Sequence, residues 1–186
     1  MSMLRIYQDS DASELGSFSD FASVSKRLEK IGVLFEQWSA SQPLKDSDSS
    51  DTILSAYKTP VDRLMAKYGF QSADVVSLQP DHPDRETFRK KFLDEHTHTD
   101  FEVRFFVRGQ GLFYIHAGDK VYCVLCEKGD LISVPADTRH WFDMGTRPQF
   151  TCIRLFTTPE GWVASYTGDK IAQRFPTFDE LMREAA

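Results

Sequence analysis

The sequence contains few cysteines, no long hydrophobic run and no excess of basic side chains. Three cysteines in 186 residues are too few, and odd in number, for a disulfide framework. No apolar run approaches the roughly 20 residues that a membrane-spanning helix needs, so we expect no membrane partner. The net charge is −6, from 22 basic and 28 acidic residues, and the basic ones are scattered. This pattern argues against nucleic acid as a partner.

The N-terminal segment MSMLRIYQDSDASELG also lacks the features of a secretory signal. It has no basic region, no apolar core and no cleavage site of small residues. The sequence therefore predicts a cytoplasmic protein.

The length and composition are typical of one globular domain. A chain of 186 residues can bury most of the surface that its unfolded form exposes, so it needs no disulfide or structural metal to fold. Its hydrophobic content of 41%, with 15 phenylalanines, argues against a disordered chain. We expect a single domain over residues 1–186.

The cysteines include one C-x-x-C pair, Cys123 and Cys126, within the strand-like segment VYCVLCE. Positions three apart on a strand point to opposite faces, so these two thiols cannot share a metal ion. We predict that both, together with Cys152, are buried free thiols. A redox or zinc role is the alternative.

Patterns in the first half of the chain favour helices. The segment FASVSKRLEK has apolar residues at spacings of three and four, and Gly32 can end this helix before the strand-like GVLFEQW. After a polar loop, ILSAYKTPVDRLMAKYGF predicts a helix that is interrupted near Pro60. VVSLQ predicts a short strand, and another helix is expected to begin near Pro83. We expect the helices mostly within residues 1–95.

The pattern changes from His96 onward. Short segments rich in β-branched and aromatic residues follow one another with Gly, Asp and Pro between them; they are VRFFV, GLFYIHAG, KVYCVLCEKGD, LISVPAD, HWFDMG and FTCIRLFTT. Such a series is typical of a small antiparallel barrel or sandwich. The predicted fold class is therefore mainly β with attached α-helices, and the β-barrel core is expected mostly within residues 96–165.

Four side chains in this half form a candidate metal site: His96, His98, Glu102 and His140. Residues two apart on a strand project from one face, so the first three can converge if residues 99–101 form a bend. His140 must then come from a neighbouring strand. Neutral imidazole and a carboxylate suit Fe(II), Ni(II), Mn(II) or Zn(II). The alternative is an exposed strand whose polar side chains are simply solvated.

Two blocks of the sequence resemble the two motifs of the cupin superfamily. The first motif is H-x-H, then Glu after three or four residues and Gly after six more, and the matching residues are His96, His98, Glu102 and Gly109. The second is Gly, five residues, Pro, a turn and His, and the matching residues are Gly129, Pro135 and His140. The resemblance implies a cupin-type jelly-roll barrel.

Two positions depart from the second motif. Asp137 stands at its customary turn glycine, and Met144 stands where many members have Asn. Neither is a ligand, so both departures concern the geometry of the turn rather than the chemistry.

The flanking segments narrow the resemblance to the bacterial acireductone dioxygenase family of the methionine salvage pathway. The similar segments are EVRFFV, GLF, VLCEKGDLISVPA, HWFDMG, IRLF, PEGW and TGD, and they cover most of residues 30–178. The resemblance implies that the four ligands named above bind one Fe(II) or Ni(II) ion per chain. It also implies products that depend on the metal: formate and 2-keto-4-methylthiobutyrate with Fe(II), or formate, CO and 3-methylthiopropionate with Ni(II).

Two arginines are candidates for binding an anionic substrate. Four protein ligands on a six-coordinate ion leave two positions that adjacent oxygens of an enediolate could fill. Arginine stays protonated and can pair with two oxygens at once. Arg104 shares a face with Glu102, and both Arg104 and Arg154 match arginines of the family's active site. The alternatives are a surface arginine in either case or, for Arg104, an ion pair with Glu102.

Three aromatic residues are candidates for a methylthio pocket, because sulfur packs well against aromatic rings. Phe142, two residues after His140, should face the same cavity, and the resemblance implies Phe92 and Trp162 as further pocket residues. Ordinary core packing is the alternative for each. The remaining histidines, His82 and His116, are predicted to be exposed.

Other cupin functions stay open at this point. A sugar-phosphate isomerase or an oxalate-processing enzyme could use the same ligands, and so could a cupin that binds a ligand without catalysis. The leading hypothesis is a dioxygenase whose partners are a small-molecule acireductone and O2. The acidic, unpatched surface favours a monomer.

Overall fold

Strands dominate the computed structural model, which describes residues 2–45, 47–158 and 163–184. The strands are β1 (Met3–Gln8), β2 (Glu14–Phe18), β3 (Leu34–Gln37), β4 (Ser72–Leu78), β5 (His96–Thr97), β6 (Glu102–Ala117), β7 (Lys120–Glu127), β8 (Asp130–Val134), β9 (Arg139–Asp143), β10 (Phe150–Phe156) and β11 (Ser165–Tyr166). The α-helices are α1 (Phe21–Glu29), α2 (Ser50–Ala56), α3 (Lys58–Tyr68), α4 (Arg85–Leu93) and α5 (Phe178–Glu184), and a short 3-10 helix covers Ile171–Arg174. None of these described helices is long and apolar enough to cross a membrane.

The long strand β6 belongs to both sheets of the fold. Its first half pairs with β8 and β10, and its second half pairs with β7 and β9, always antiparallel. Gly109 lies between the halves with a φ of +69°, and a Cβ there would stand 1.8 Å from the carbonyl oxygen of Gln149. Only glycine fits so close an approach of two backbones. Because β6 contributes to both sheets, it connects them, and the predicted β-barrel class is confirmed.

Hydrophobic side chains fill three layers. The inner cluster lies between the sheets and includes Phe106, Phe142 and Phe150. On the outer face of one sheet, residues of α2 and α3 cover a second cluster around Phe105. On the outer face of the other, the 3-10 helix and α5 cover a third cluster around Trp141. Strands buried on both faces explain why the segments after His96 are nearly continuous in apolar residues.

The predicted helices are present, with an interruption between α2 and α3 at Tyr57. Pro60 lies in the first turn of α3, where a proline costs no intrahelical hydrogen bond. Asp20 caps α1 by accepting a hydrogen bond from the Ser23 backbone N–H. The hairpin of β1 and β2 was not predicted, because the exposed β2 segment ELGSF lacks an apolar alternation.

The cysteine prediction is confirmed. Cys123 and Cys126 lie in different clusters on opposite faces of β7, and all three cysteines are buried and free. Burial raises the pKa of the Cys123 thiol to about 12, which suits packing rather than redox chemistry.

Candidate metal centre

Neighbouring strands bring the four candidate ligands together. His96 lies on β5 and pairs directly with His140 on β9, and Glu102 is the first residue of β6. His98 lies in the irregular segment between β5 and β6, where the predicted bend occurs. The arrangement therefore follows from a short strand, a bend and one antiparallel pairing.

The ligand atoms of this group lie within 4.8 Å of one another. The Nε2 atoms of His98 and His140 each lie 2.9 Å from Glu102 Oε2. The His96 ring centroid lies 4.6 Å from that of His140 and 4.9 Å from that of His98. The four residues are only 1% to 6% exposed, so the alternative of a solvated surface strand is wrong. Three imidazoles and one carboxylate in this geometry can hold a divalent metal ion.

Each histidine of the group directs its other ring nitrogen, Nδ1, at a backbone carbonyl. The distances are 2.7 Å from His96 to Asp94, 2.8 Å from His140 to Thr138 and 3.2 Å from His98 to Val163. A carbonyl only accepts, so each Nδ1 is the donor, and in the neutral ring Nε2 is then the nitrogen whose lone pair can bind a metal ion. These contacts fix the ring orientation, as partners of metal-binding histidines commonly do.

The charges around the group favour the protonation states that a metal ion requires. Burial alone would raise the pKa of Glu102, but the nearby Arg104 guanidinium, followed by the adjacent rings of His140 and His98, brings that pKa well below its usual range. Burial, followed by the proximity of His140, lowers the pKa of His96 to about 4. At neutral pH the carboxylate is therefore ionised and His96 is neutral.

The turn between β8 and β9 keeps the conformation that glycine usually provides. Asp137 has a φ of +59°, in the left-handed region, and its backbone N–H donates to the His98 carbonyl at 2.7 Å. Aspartate adopts this conformation more readily than most residues. The departure from the motif therefore leaves the turn geometry intact and ties it to a ligand.

Arg104 lies directly behind the carboxylate ligand. Its Nε donates to Glu102 Oε1 at 2.9 Å, and the side chain is 2% exposed. The guanidinium carbon lies 4.4 Å from the ring centroid of Phe142 and 5.4 Å from that of Phe92. Two of the predicted pocket aromatics thus surround this arginine, and Trp162 lies outside the described residues.

Arg154 is placed differently from Arg104. It lies opposite Arg104 in the pairing of β10 with β6, so the two side chains leave the same face. Its Nε and Nη2 bind the two carboxylate oxygens of Asp74 on β4, at 2.8 and 2.5 Å. Arg154 therefore shares the face of the site but has an ion pair with Asp74.

A buried pair behind the ligands was missed in the sequence. His116 is only 6% exposed, so its predicted exposure is wrong, and its Nδ1 lies 2.6 Å from Glu95 Oε2. The two residues are 21 positions apart and belong to no common motif. The sequence offered one signal for this pair. Side chains of extended backbone alternate between the two faces of a sheet, so Glu95 is expected on the face opposite its neighbour His96.

Comparison with known proteins decides the family. A family model described as the ARD/ARD' family matches residues 3–164. The chain belongs to this family. It is similar to the acireductone dioxygenase of Hahella chejuensis, at 58% identity over the whole of both chains. It is also similar to that of Aquifex aeolicus, at 56% identity over 98% of this chain and 99% of that one. The family predicted from the motifs is confirmed.

A solved structure shares the fold. It is described as acireductone dioxygenase from Bacillus anthracis with a cadmium ion in its active center, and it matches with a TM-score of 0.80 and 35% identity. The match covers 89% of this chain and 98% of that one. The cupin fold predicted from the motifs is confirmed.

Proposed function

We propose that this chain is a metal-dependent dioxygenase of methionine salvage. Its substrate would be the acireductone 1,2-dihydroxy-3-keto-5-methylthiopentene, which it would cleave with O2. The family and its relatives named acireductone dioxygenase support this assignment. The observation that carries it is the buried convergence of one ring nitrogen from each of three imidazoles with one carboxylate.

Fe(II) or Ni(II), one ion per chain, is the proposed cofactor. The ligands would be His96, His98, Glu102 and His140, whose nitrogen and carboxylate donors suit both ions. When bound, such an ion supplies Lewis acidity and open positions for adjacent substrate oxygens. By resemblance to the family, we propose formate and 2-keto-4-methylthiobutyrate as the products with Fe(II), and formate, CO and 3-methylthiopropionate with Ni(II).

The arginines would serve an anionic substrate. Arginine is a permanent cation, and the Arg104 side chain holds the carboxylate of Glu102 in place through Nε. A substrate anion beside the ligands would therefore meet a buried cation. Arg154 is proposed as a second cation, because it leaves the same face of the sheet as Arg104.

The methylthio group would lie against aromatic rings. Phe142 and Phe92 line the region next to Arg104, and their rings offer favourable contacts to sulfur. Trp162 is proposed as a third wall of the same pocket.

We further propose that the protein acts as a cytoplasmic monomer of one domain, with a small molecule and O2 as its partners and with neither nucleic acid nor membrane. Three buried free thiols suit a reducing compartment. A net charge of −6 without a basic patch suits a chain that binds no polyanion.

Oxygen uptake tests the assignment. Metal-free protein reloaded with Fe(II) or with Ni(II) should consume O2 when a synthetic acireductone is added. A Glu102→Ala variant is the matched control, and it should hold metal at least about tenfold more weakly. No oxygen uptake with either metal, in protein shown to contain it, would overturn the proposal.

A further inference from the structure

A second buried polar cluster lies on the sheet face opposite the ligand group. Glu95 is 1% exposed, and both of its carboxylate oxygens are hydrogen-bonded. His116 Nδ1 lies 2.6 Å from Oε2, and the Thr167 hydroxyl donates to Oε1 at 2.9 Å. The Thr167 backbone N–H also donates to the Glu95 carbonyl at 3.1 Å. Glu95, His116 and Thr167 together form the Glu95 clamp.

The clamp spans three adjacent strands. His96 on β5, His140 on β9 and Ile115 on β6 stand in one row across the sheet. Glu95 is the residue immediately before β5, and His116 follows Ile115 on β6, so both side chains leave the other face. Their contact therefore joins β5 to β6 across the intervening strand β9.

The strand that presents His96 has little support of its own. β5 contains two residues, pairs with β9 at a single position and with the two-residue strand β11 on its other side. So few ladder bonds fix a strand poorly. An ionisable carboxylate buried beside it is costly unless fully paired, and here every oxygen has a partner.

We propose that the Glu95 clamp is a positioning device for the metal centre. It fixes the backbone of β5 from behind and thereby holds the His96 imidazole at the distance that the other ligands require. This inference rests on the proposed metal-binding function and assigns Glu95, His116 and Thr167 as positioning residues. None of the three is proposed to touch the metal or the substrate.

Cobalt substitution tests the clamp, because the absorption spectrum of bound Co(II) reports the geometry of the ligands and does not change when only the stability of the fold is lowered. Full-length protein loaded with Co(II) is mixed with excess chelator, and the release rate and the visible absorption of bound Co(II) are recorded. Glu95→Ala should release Co(II) about tenfold faster than the parent, which is the lower end of the losses in metal affinity seen when a residue that supports a metal ligand is replaced. The absorption bands of its bound Co(II) should also shift. Glu95→Gln keeps an acceptor oxygen and should remain within about threefold of the parent rate.

Asp130→Asn is the matched control. Asp130 is another fully buried carboxylate with three hydrogen bonds, to Ser2, Gln37 and the Glu127 backbone N–H. It stands at the end of β8 remote from Val134, which pairs with Glu102. The control variant should lose thermal stability but keep the parent release rate and spectrum.

Each remaining outcome decides the proposal. A folded Glu95→Ala protein with the parent release rate and spectrum would overturn it, and so would equal acceleration in Asp130→Asn. If Glu95→Ala does not fold, Thr167→Val takes its place, and parent behaviour in that variant contradicts the clamp. Failure of the parent protein itself to bind Co(II) would remove the metal centre and the clamp together, whereas normal binding with unaffected variants removes only the clamp.

Discussion

Single side chains set the chemistry of this centre. Burial and the proximity of His140 lower the pKa of His96. Burial alone would raise the pKa of Glu102, but the Arg104 guanidinium brings it below its usual range. Both shifts favour the deprotonated forms that bind a metal ion, so binding at neutral pH needs no proton release from either residue.

The His96 shift makes the metal-free protein sensitive to acid. Its ordinary pKa of 6.5 falls to about 4 in the folded state, so the unfolded chain binds more protons between these values. The contribution of His96 to the free energy of unfolding should therefore be constant well above pH 6.5 and fall by roughly 3 kcal/mol as the pH approaches 4. Urea unfolding at several pH values measures the slope, with His96→Gln as the control. An equal slope in that variant would show that His96 does not carry the effect.

Replacement of Arg104 should act through Glu102. In Arg104→Met the carboxylate loses its buried cation, so the pKa of Glu102 should rise and protons should compete with the metal. We expect Ni(II) affinity to fall by about tenfold near pH 6 and by less near pH 8. Calorimetric titration at the two pH values measures this. Arg154→Met is the matched variant, and its pH dependence should follow the parent. Identical pH dependence in Arg104→Met would contradict the coupling.

At the scale of elements, the turn between β8 and β9 contains a residue with a strained backbone, Asp137, which is hydrogen-bonded to the candidate ligand His98. Asp137 occupies the left-handed region, which β-branched residues strongly disfavour. We expect Asp137→Val to lower the free energy of unfolding by about 1–2 kcal/mol, and Asp137→Gly to be neutral or slightly stabilising. Thermal unfolding of both variants measures this. Equal stability of the two would mean that the turn relaxes to another conformation.

The elements that the sequence predicted are those with a strong local pattern. The apolar spacing of α1, the strand segments after His96 and the position of Pro60 each act within a few residues. The hairpin of β1 and β2 depends instead on pairing of β1 with β7, more than 100 residues away, and β2 itself is mostly exposed. Such a pairing leaves no local signal.

At the scale of the whole molecule, the same distinction holds for the site. The ligands His96, His98 and Glu102 follow a strand period, so their convergence was predictable once a bend was assumed. The Glu95–His116 contact and the ion pair of Arg154 with Asp74 arise from the order of strands in the folded sheets. Neither order nor register can be derived from periodicity alone.

Product analysis tests the central claim most directly, because it examines the bond cleavage itself. One batch of metal-free protein is divided, loaded with Fe(II) or Ni(II), and supplied with acireductone and O2. The proposal predicts formate from both samples, 2-keto-4-methylthiobutyrate from the iron sample, and CO with 3-methylthiopropionate from the nickel sample. Absence of formate above the level of the Glu102→Ala control in both samples would contradict it.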